Sequence, residues 1–504
     1  MQKPMSKSVL IFKEPELEFR YGQKVQDPRD GLGLFGPFDA DDNATRPASL
    51  NYVVIGTKEA IEQFSIWSQM LNQPSLSLQK NNERLWVPFP GFEAAFNTPW
   101  PEHPIQAFQI DRESLLRASI IKDPYKRAYE VAEHYLRELR TASKLDEKIG
   151  VAVCIVPEEV WKNCRPNSYV FEGSGETVTA KEIRIRKTGQ TDLFQSFDPE
   201  QYQFSTDFRR HLKARAMEFG IPLQIIRETT LRISDENARG QRGLTPLSDR
   251  MWNMATTLYY KNGGKPWRLV TAREGVCYIG LAFRKAEPST HGTTACCAAQ
   301  MFLNTGDGVV FLGSFGPWYS PKTEQFHLTK AAARDLLQGV LKTYEELHGK
   351  KLTEVFLHSR SHISKEEFEG YLEGCPQGVK LVGVRVRKDD SPRLYRIGKM
   401  PVLRGTFMKV NDRSGYLWGS GFKPRLETYD GWETPVPMRI DIQYGDATIE
   451  RVAQDILGLT KLNYNACHLG DNQPVTVGFS DAVGEILISN PKITNRRPNF
   501  KFYI

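Results

Sequence analysis

The 504 residues are 40% hydrophobic, 11% aromatic and 25% charged, a globular balance with apolar surface for two domains and an upper bound of three. Lys and Arg number 67 against 60 Asp and Glu, and the formal charge of +7 suits a polyanionic partner without requiring one. No apolar run reaches the roughly 18 to 20 residues of a membrane span, and the opening MQKPMSKSVLIFKEPE has no signal-peptide core, so no membrane association is expected and the expected compartment is the cytoplasm.

In chain order, β-branched runs alternate with amphipathic stretches, the pattern of an α/β fold with a partly parallel sheet. NYVVIG from Asn51 and IGVAVCIVP from Ile149 read as buried strands. The polar stretch from Glu172 to Thr191, with Gly173, Gly175 and Gly189, reads as an insertion or mobile loop. Its Gly173-Ser174-Gly175 lacks the Gly-Lys-Ser/Thr of a phosphate loop. From Thr206, the spacing of Phe208, Leu212, Ala216 and Phe219 before Gly220 predicts a helix with a glycine stop. PLQIIRE from Pro222 is the next strand, and Leu247, Met251, Met254, Ala255 and Leu258 mark a helix closed by Gly263-Gly264.

GGKPWRLVTAREG then separates two strand-helix series, which places a boundary between Gly264 and Arg273 and divides the chain into 1–265 and 266–504. GVCYIGLAF from Gly275 opens the second series; Cys296-Cys297 reads as part of a packed strand, and Gly306-Asp307-Gly308 as a hairpin turn. Leu336, Leu337, Val340, Leu341, Tyr344 and Leu347 form a helical face, with Thr329 as N-cap and Gly349 beyond its end. TEVFLH from Thr353 is a strand, and LVGVRVRKDD from Leu381 alternates so that Arg385 and Arg387 share one face, available either to a nucleic-acid backbone or to solvent. Ile449, Val452, Ala453, Ile456 and Leu457 form the last helix, and the apolar ending KFYI reads as docked.

Chemistry enters at the Thr206 helix. Arg209 and Lys213 are four apart and project from one face. Gln224 follows in the next strand, and Lys261 sits in the last turn of the following helix. Three cations and an amide could converge on a terminal phosphate, although basic helix faces are more often solvated. Other features carry less. Cys154, Cys164, Cys277, Cys296, Cys297, Cys375 and Cys467 are scattered without CxxC spacing, against a disulfide framework or zinc. His358 and His362 lack the Glu of a helical HExxH and read as structural.

The order Arg209, Lys213, Gln224 and Lys261, the last within YKNGGKPW, is similar to the guide 5′-phosphate pocket of Argonaute MID domains. FRYGQKVQDPRDGLGLFGPFD from Phe19, PGFEAAF, CRPNS, ACCAAQMFLNTGDG, GPWYSP and LTKLNYNA resemble the short prokaryotic Argonautes, which lack N and PAZ domains. The resemblance covers the whole chain. It implies a Rossmann-like MID domain followed by an RNase H-like PIWI domain. Arg209 stands where many relatives have Tyr or His, and its planar fork serves both stacking and phosphate binding. The resemblance further implies that the terminal carboxylate of Ile504 joins a Mg²⁺ bound at the guide phosphate.

An RNase H-like nuclease holds two metals with three or four carboxylates. Here the strand CYIGLAFRK has Ala282 at the expected Asp position, and FLHSRS offers Ser359, Arg360 and Ser361 at the second. Asp481 alone, near a late position, could not organise two ions. The expectation is therefore a chain with no catalytic residues, and the resemblance implies a non-cleaving sensor that uses guide RNA with a 5′ phosphate to recognise single-stranded target DNA. The resemblance also implies an APAZ-containing effector partner, bearing either a TIR or a Sir2 domain, with TIR the preferred reading, that degrades NAD(P) in defence against plasmids or phages, with higher oligomers on activation. The rivals are an active RNase H-like guided nuclease and a general RNA-binding scaffold indifferent to the 5′ phosphate.

Overall fold

Four runs rich in apolar residues build the first sheet. Strands β1 (Tyr52–Gly56), β2 (Gln106–Gln109), β3 (Val151–Val156) and β4 (Leu223–Arg227) lie side by side in the order β2-β1-β3-β4, all parallel. Parallel neighbours require crossovers, and these contain helices α1 (Lys58–Met70), α2 (Pro124–Ala142) and α3 (Phe208–Ala216). Both faces of β3 are covered, so the strand reads as a continuous apolar run. Val151, Val153 and Ile155 enter one core while Ala152, Cys154 and Val156 enter another, the period-two division expected of a strand. The computed structural model describes residues 9–42, 46–47, 49–77, 82–179, 182, 201–202, 204–233, 244–285, 295–302, 308–320, 322–348, 351–431, 433–489 and 497–504.

Helix α3 starts at Phe208 rather than Thr206, because the Asp207 carboxylate accepts from the main-chain nitrogens of Arg209 (2.9 Å) and Arg210 (3.3 Å) and so fixes the N-cap. It ends through a short 3-10 turn into Gly220, whose φ of +67° suits glycine. Helix α4 (Leu247–Lys261) leads to Gly263 at φ +104°, as the paired glycines imply.

The second sheet has nine strands. They include β5 (Val276–Lys285), β6 (Ala295–Phe302) and β7 (Gly308–Gly316), then β8 (Glu354–Ser359) and β9 (Lys380–Lys388) after helices α5 (Lys330–His348) and α6 (Lys365–Gly374). Strands β10 (Thr406–Asn411), β11 (Ser414–Leu417) and β12 (Met438–Tyr444) follow, then α7 (Ile449–Leu459), α8 (Val475–Gly478) and α9 (Ser480–Ile488). Strands β5, β6 and β7 form an antiparallel meander, β8 pairs parallel with β5, and β9 pairs parallel with β8. The resulting order β7-β6-β5-β8-β9 is the RNase H arrangement expected above. Thr329 caps α5 by accepting from the Ala332 nitrogen (3.3 Å), whereas Gly349 and the Gly306-Asp307 turn lie outside the described residues. So do most of Glu172–Thr191 and the side chains of Cys296 and Cys297.

Residues 9–11 depart from a simple two-part division. Val9–Ile11 pairs with β10 at the edge of the second sheet, so a cut at 265/266 leaves the first strand in the sheet of the second unit. The motif DPRDGL ties the halves together. Asp27 caps the helix Pro28–Leu34, Arg29 is buried against Asp27 (3.2 Å) and Asp249 (3.8 Å), and Asp30 pairs with Arg425 (2.6 Å).

Close packing between β5 and α8 depends on one glycine. A Cβ on Gly280 would lie 2.0 Å from the main-chain oxygen of Thr476, so backbone, not a flexible side chain, would have to move. Gly280→Ala is expected to destabilise the full chain by about 1 to 3 kcal/mol, the usual cost of overpacking. Denaturant titration with circular dichroism reads it; an unchanged midpoint would show that the two elements are looser than this.

Candidate nucleic-acid interface

Three chain segments distant in sequence meet at Lys213 and Lys261. Lys213 projects from α3, Lys261 ends α4, and both are buried. Lys213 Nζ donates to the main-chain oxygen of Tyr503 (3.3 Å), and Lys261 Nζ donates to those of Leu223 and Ile504 (2.6 Å each). The KFYI segment reaches them because Phe500 and Tyr503 are buried, Phe500 packs edge-on against Phe479 at 5.2 Å, and the Tyr503 hydroxyl donates to the Arg497 oxygen (3.0 Å). Ile504 is buried too, so the expectation of a docked ending holds.

Burying two ammoniums near each other is costly unless an opposite charge compensates. Among the described residues their hydrogen-bond partners are main-chain oxygens, and no carboxylate side chain forms an ion pair with either. Burial, with Arg209 adding repulsion, pushes Lys213 down to about 7. Burial, then Lys213 and Arg209, pushes Lys261 well below its ordinary range. Gln224 lies half-buried in β4, next to the Leu223 oxygen that Lys261 uses.

Arg209 opens outward from the same helix. Its guanidinium lies 5.1 Å from the Trp161 ring centre, a ring also approached by Arg165 (5.1 Å) and Arg227 (4.8 Å). Arg227 is held by Glu158 at 2.7 Å. An open cavity of about 610 Å³ lies against Glu158, Trp161, Arg165 and Arg227. Sequence reasoning missed Trp161, Arg165 and Arg227. CRPNS contains Arg165 and could have pointed to it, but the convergence of three arginines on one indole comes from α3, β4 and the short helix Glu158–Asn163 with the residues that follow it.

The second constellation lies where β5, β8 and α8 meet. Ala282 is buried in β5, and Ser359 is buried at the end of β8. Arg360 Nη2 donates to Gln473 Oε1 (3.0 Å) and to the Val477 oxygen (3.2 Å), bringing a cation to the α8 end of the site. His358 is buried, shares a hydrogen bond with Thr476 Oγ1 (2.9 Å), and is pushed down to about 3 by burial, which fits the structural role expected for it. His362 is exposed. Asp481 falls within α9, with its side chain outside the described residues. Among the described residues no three His, Cys, Asp or Glu side chains gather as a metal would need.

No family model matches the sequence. The protein argonaute of Aquifex aeolicus is 24% identical over 293 residues, which make up 58% of this chain and 37% of that protein. Among solved structures, Clostridium butyricum Argonaute bound to a guide DNA and a 19-mer target DNA superposes with a TM-score of 0.60 at 14% identity, covering 99% of this chain and 55% of its own. The fold is that of Argonaute. Aquifex aeolicus Argonaute with externally bound siRNA agrees, with a TM-score of 0.59 at 15% identity over 99% of this chain and 56% of that one. The present chain thus spans just over half the length of these solved Argonautes. The likeness to the curated protein supports the Argonaute family, and the parallel four-stranded sheet and nine-stranded sheet fit a MID/PIWI-like architecture.

Proposed function

We propose that this chain is a guide-loaded, non-cleaving Argonaute sensor of the short type, with a MID unit in 1–265 and a PIWI unit in 266–504. Lys213, Lys261, Arg209 and Gln224 would hold the 5′ phosphate of the guide. The observation that carries this reading is the pair of buried ammoniums whose hydrogen-bond partners, among the described residues, are main-chain oxygens. A phosphate supplies further negative charge, beyond the Ile504 carboxyl that Lys261 already meets, and several acceptors. Beside it, the Arg209 guanidinium and the Trp161 cavity offer planar surfaces to the first nucleotide.

The Clostridium butyricum relative was solved with a guide and a target DNA, and nucleic-acid-guided recognition is proposed for this chain on that likeness. RNA as guide and single-stranded DNA as target follow from the resemblance to short Argonautes. Arg360 and Ala282 support a non-cleaving PIWI unit, because a cation and a methyl group stand where metal ligands are expected. The recognition event would then pass to an APAZ-containing partner with a TIR or Sir2 domain that degrades NAD(P), with assembly into higher oligomers on activation, in the cytoplasm.

The donor set fits an anion directly, and a Mg²⁺ ion only in company with that anion's oxygens. From this chain the terminal carboxylate of Ile504 would hold it. A bound ion would offset phosphate charge, while the lysines orient the phosphate and burial excludes water. Deleting Tyr503 and Ile504 removes oxygens that both lysines use and is expected to abolish any gain in guide affinity from Mg²⁺. Guide titrations with and without the ion decide this; a truncated protein that keeps full Mg²⁺ dependence would remove Ile504 from the site.

The function itself is tested by comparing 5′-phosphorylated with 5′-hydroxyl guide RNA, then adding target DNA and the partner and following NAD(P). Equal affinity for the two guides would overturn the pocket. NAD(P) loss with no guide or target present would overturn the sensor role.

A further inference from the structure

The FGPFD motif, residues 35–39, ends on a carboxylate that the fold buries: Asp39 is 1% exposed. Its Oδ1 accepts from the Tyr259 hydroxyl (2.7 Å) and its Oδ2 from the main-chain nitrogen of Lys265 (2.8 Å). Burial pushes the Asp39 carboxyl above the ordinary carboxylate range, and the two hydrogen bonds pull it part of the way back. A carboxylate taken out of water is costly unless donors meet it, so both donors are held in place.

Those donors bracket Lys261. Tyr259 stands two residues before it in α4, and Lys265 stands four after it, beyond Gly263 at φ +104°. The Gly264 nitrogen donates to the Tyr259 oxygen (3.0 Å), and a Cβ on Gly264 would lie 2.3 Å from the Tyr259 ring. The chain therefore turns back tightly over that ring. A second tie from the same motif runs from the Phe38 nitrogen to the Pro266 oxygen (3.0 Å). In a continuing helix the Lys265 nitrogen would donate to the Lys261 oxygen. Pro266 disfavours helical geometry at Lys265, Asp39 takes the Lys265 donor, and the Lys261 oxygen accepts from Lys501 Nζ (3.2 Å). Lys501 belongs to the ending whose Ile504 oxygen meets Lys261 Nζ. One carboxylate thus fixes the exit from Lys261 and leaves its oxygen to the C-terminal segment.

We infer that Asp39 is a positioning residue of the phosphate pocket: it staples the turn after α4 and so aims the Lys261 ammonium, while lying buried away from any guide. This rests on the guide-binding reading for what Lys261 meets. Besides burial, the groups that shift Lys261 are Lys213, Arg209 and Cys154, so Asp39 acts through geometry and not through its charge. A carboxamide can hold the same turn, its oxygen accepting from Lys265 and its NH₂ donating to the Tyr259 hydroxyl oxygen. A methyl group can do neither.

The test uses the full chain and measures affinity for 5′-phosphorylated and 5′-hydroxyl guide RNA, together with amide hydrogen exchange over residues 259–267 of guide-free protein. Asp39→Ala is expected to raise exchange there and to lower the phosphate-to-hydroxyl affinity ratio by about three- to tenfold, part of a hydrogen bond to a charged group. Asp39→Asn should keep both close to the parent. Leu337→Ala weakens a separate core beneath α5; it should lower the melting temperature and keep the ratio, which separates lost stability from lost aim. Should Asp39→Ala fail to fold, Tyr259→Phe decides, since it keeps the ring and drops one donor, with an expected ratio loss of about twofold or more. A parental ratio in folded Asp39→Ala, or an equal loss in Leu337→Ala, would overturn the inference. So would a full loss in Asp39→Asn, because the charge and not the hold on the turn would then matter. A parent that binds both guides equally would overturn the pocket reading itself. In that case a rise in exchange confined to residues 259–267 in Asp39→Ala still supports the staple, and parental exchange there overturns it.

Discussion

Lys213→Ala and Lys261→Ala are each expected to weaken binding of a 5′-phosphorylated guide by about 1.5 to 3 kcal/mol, the range for hydrogen bonds to charged groups, with little change for the 5′-hydroxyl guide. The reason is the crowding of two buried ammoniums that only main-chain oxygens serve among the described residues. Guide-free protein pays for that crowding in stability. Lys213 sits at about 7 in the folded chain against an ordinary 10.5, so between those values the unfolded chain binds more protons. Stability of the guide-free protein therefore rises with pH across that window, and the full penalty is present below it. Lys213→Met, which keeps an apolar stem and drops the charge, should raise the melting temperature of guide-free protein at neutral pH while losing phosphate discrimination. Discrimination itself should fade as pH climbs above neutrality, because binding then requires protonating the lysines. Fluorescence titrations with both guides across this range read the effect. A ratio independent of pH, or equal losses for both guides in the alanine variants, would place the phosphate elsewhere.

Cleavage is the second large effect, expected as a complete absence. Guide-loaded protein incubated with labelled complementary DNA and Mg²⁺ or Mn²⁺ should leave the target intact. Ala282→Asp should not restore cutting. It introduces one carboxylate beside Gly280 and α8, while Arg360, held by Gln473 and Val477, keeps a positive charge at the second ligand position and opposes the ions. Ala282→Asp with Arg360→Asp supplies two acids, yet the surrounding shell that would orient them is not built for it: His358 is buried and bonded to Thr476 rather than to a ligand. Metal-dependent cleavage by the unmodified chain, lost on mutating Asp481, would return the protein to the nucleases.

Much of the fold was legible in residue order. The runs at Tyr52, Val151, Leu223, Val276 and Glu354 formed strands because β-branched residues bounded by turn residues favour a pleated, buried backbone. The helices α3, α4, α5 and α7 followed from apolar spacing. Among the elements that sequence analysis did not name is Val9–Ile11, three apolar residues whose pairing partner lies near residue 407; a short strand carries no periodic signal, and its place depends on an edge formed elsewhere.

The candidate site divides along the same line. Sequence by itself determined which charges are present: Lys213 one turn from Arg209, Lys261 before two glycines, no acid from Gly275 through Lys285, and an apolar KFYI ending. These are local properties, set by side-chain chemistry and helical or strand period. Tertiary structure decided which charges meet. It buried Lys213 and Lys261 against Tyr503 and Ile504, gathered Arg165, Arg209 and Arg227 on Trp161, and set Arg387 across from Arg439. Each of these depends on contacts between segments tens to hundreds of residues apart, which sheet register and burial specify and local sequence does not. The cost of isolating a charge from water likewise exists only once the fold has closed around it.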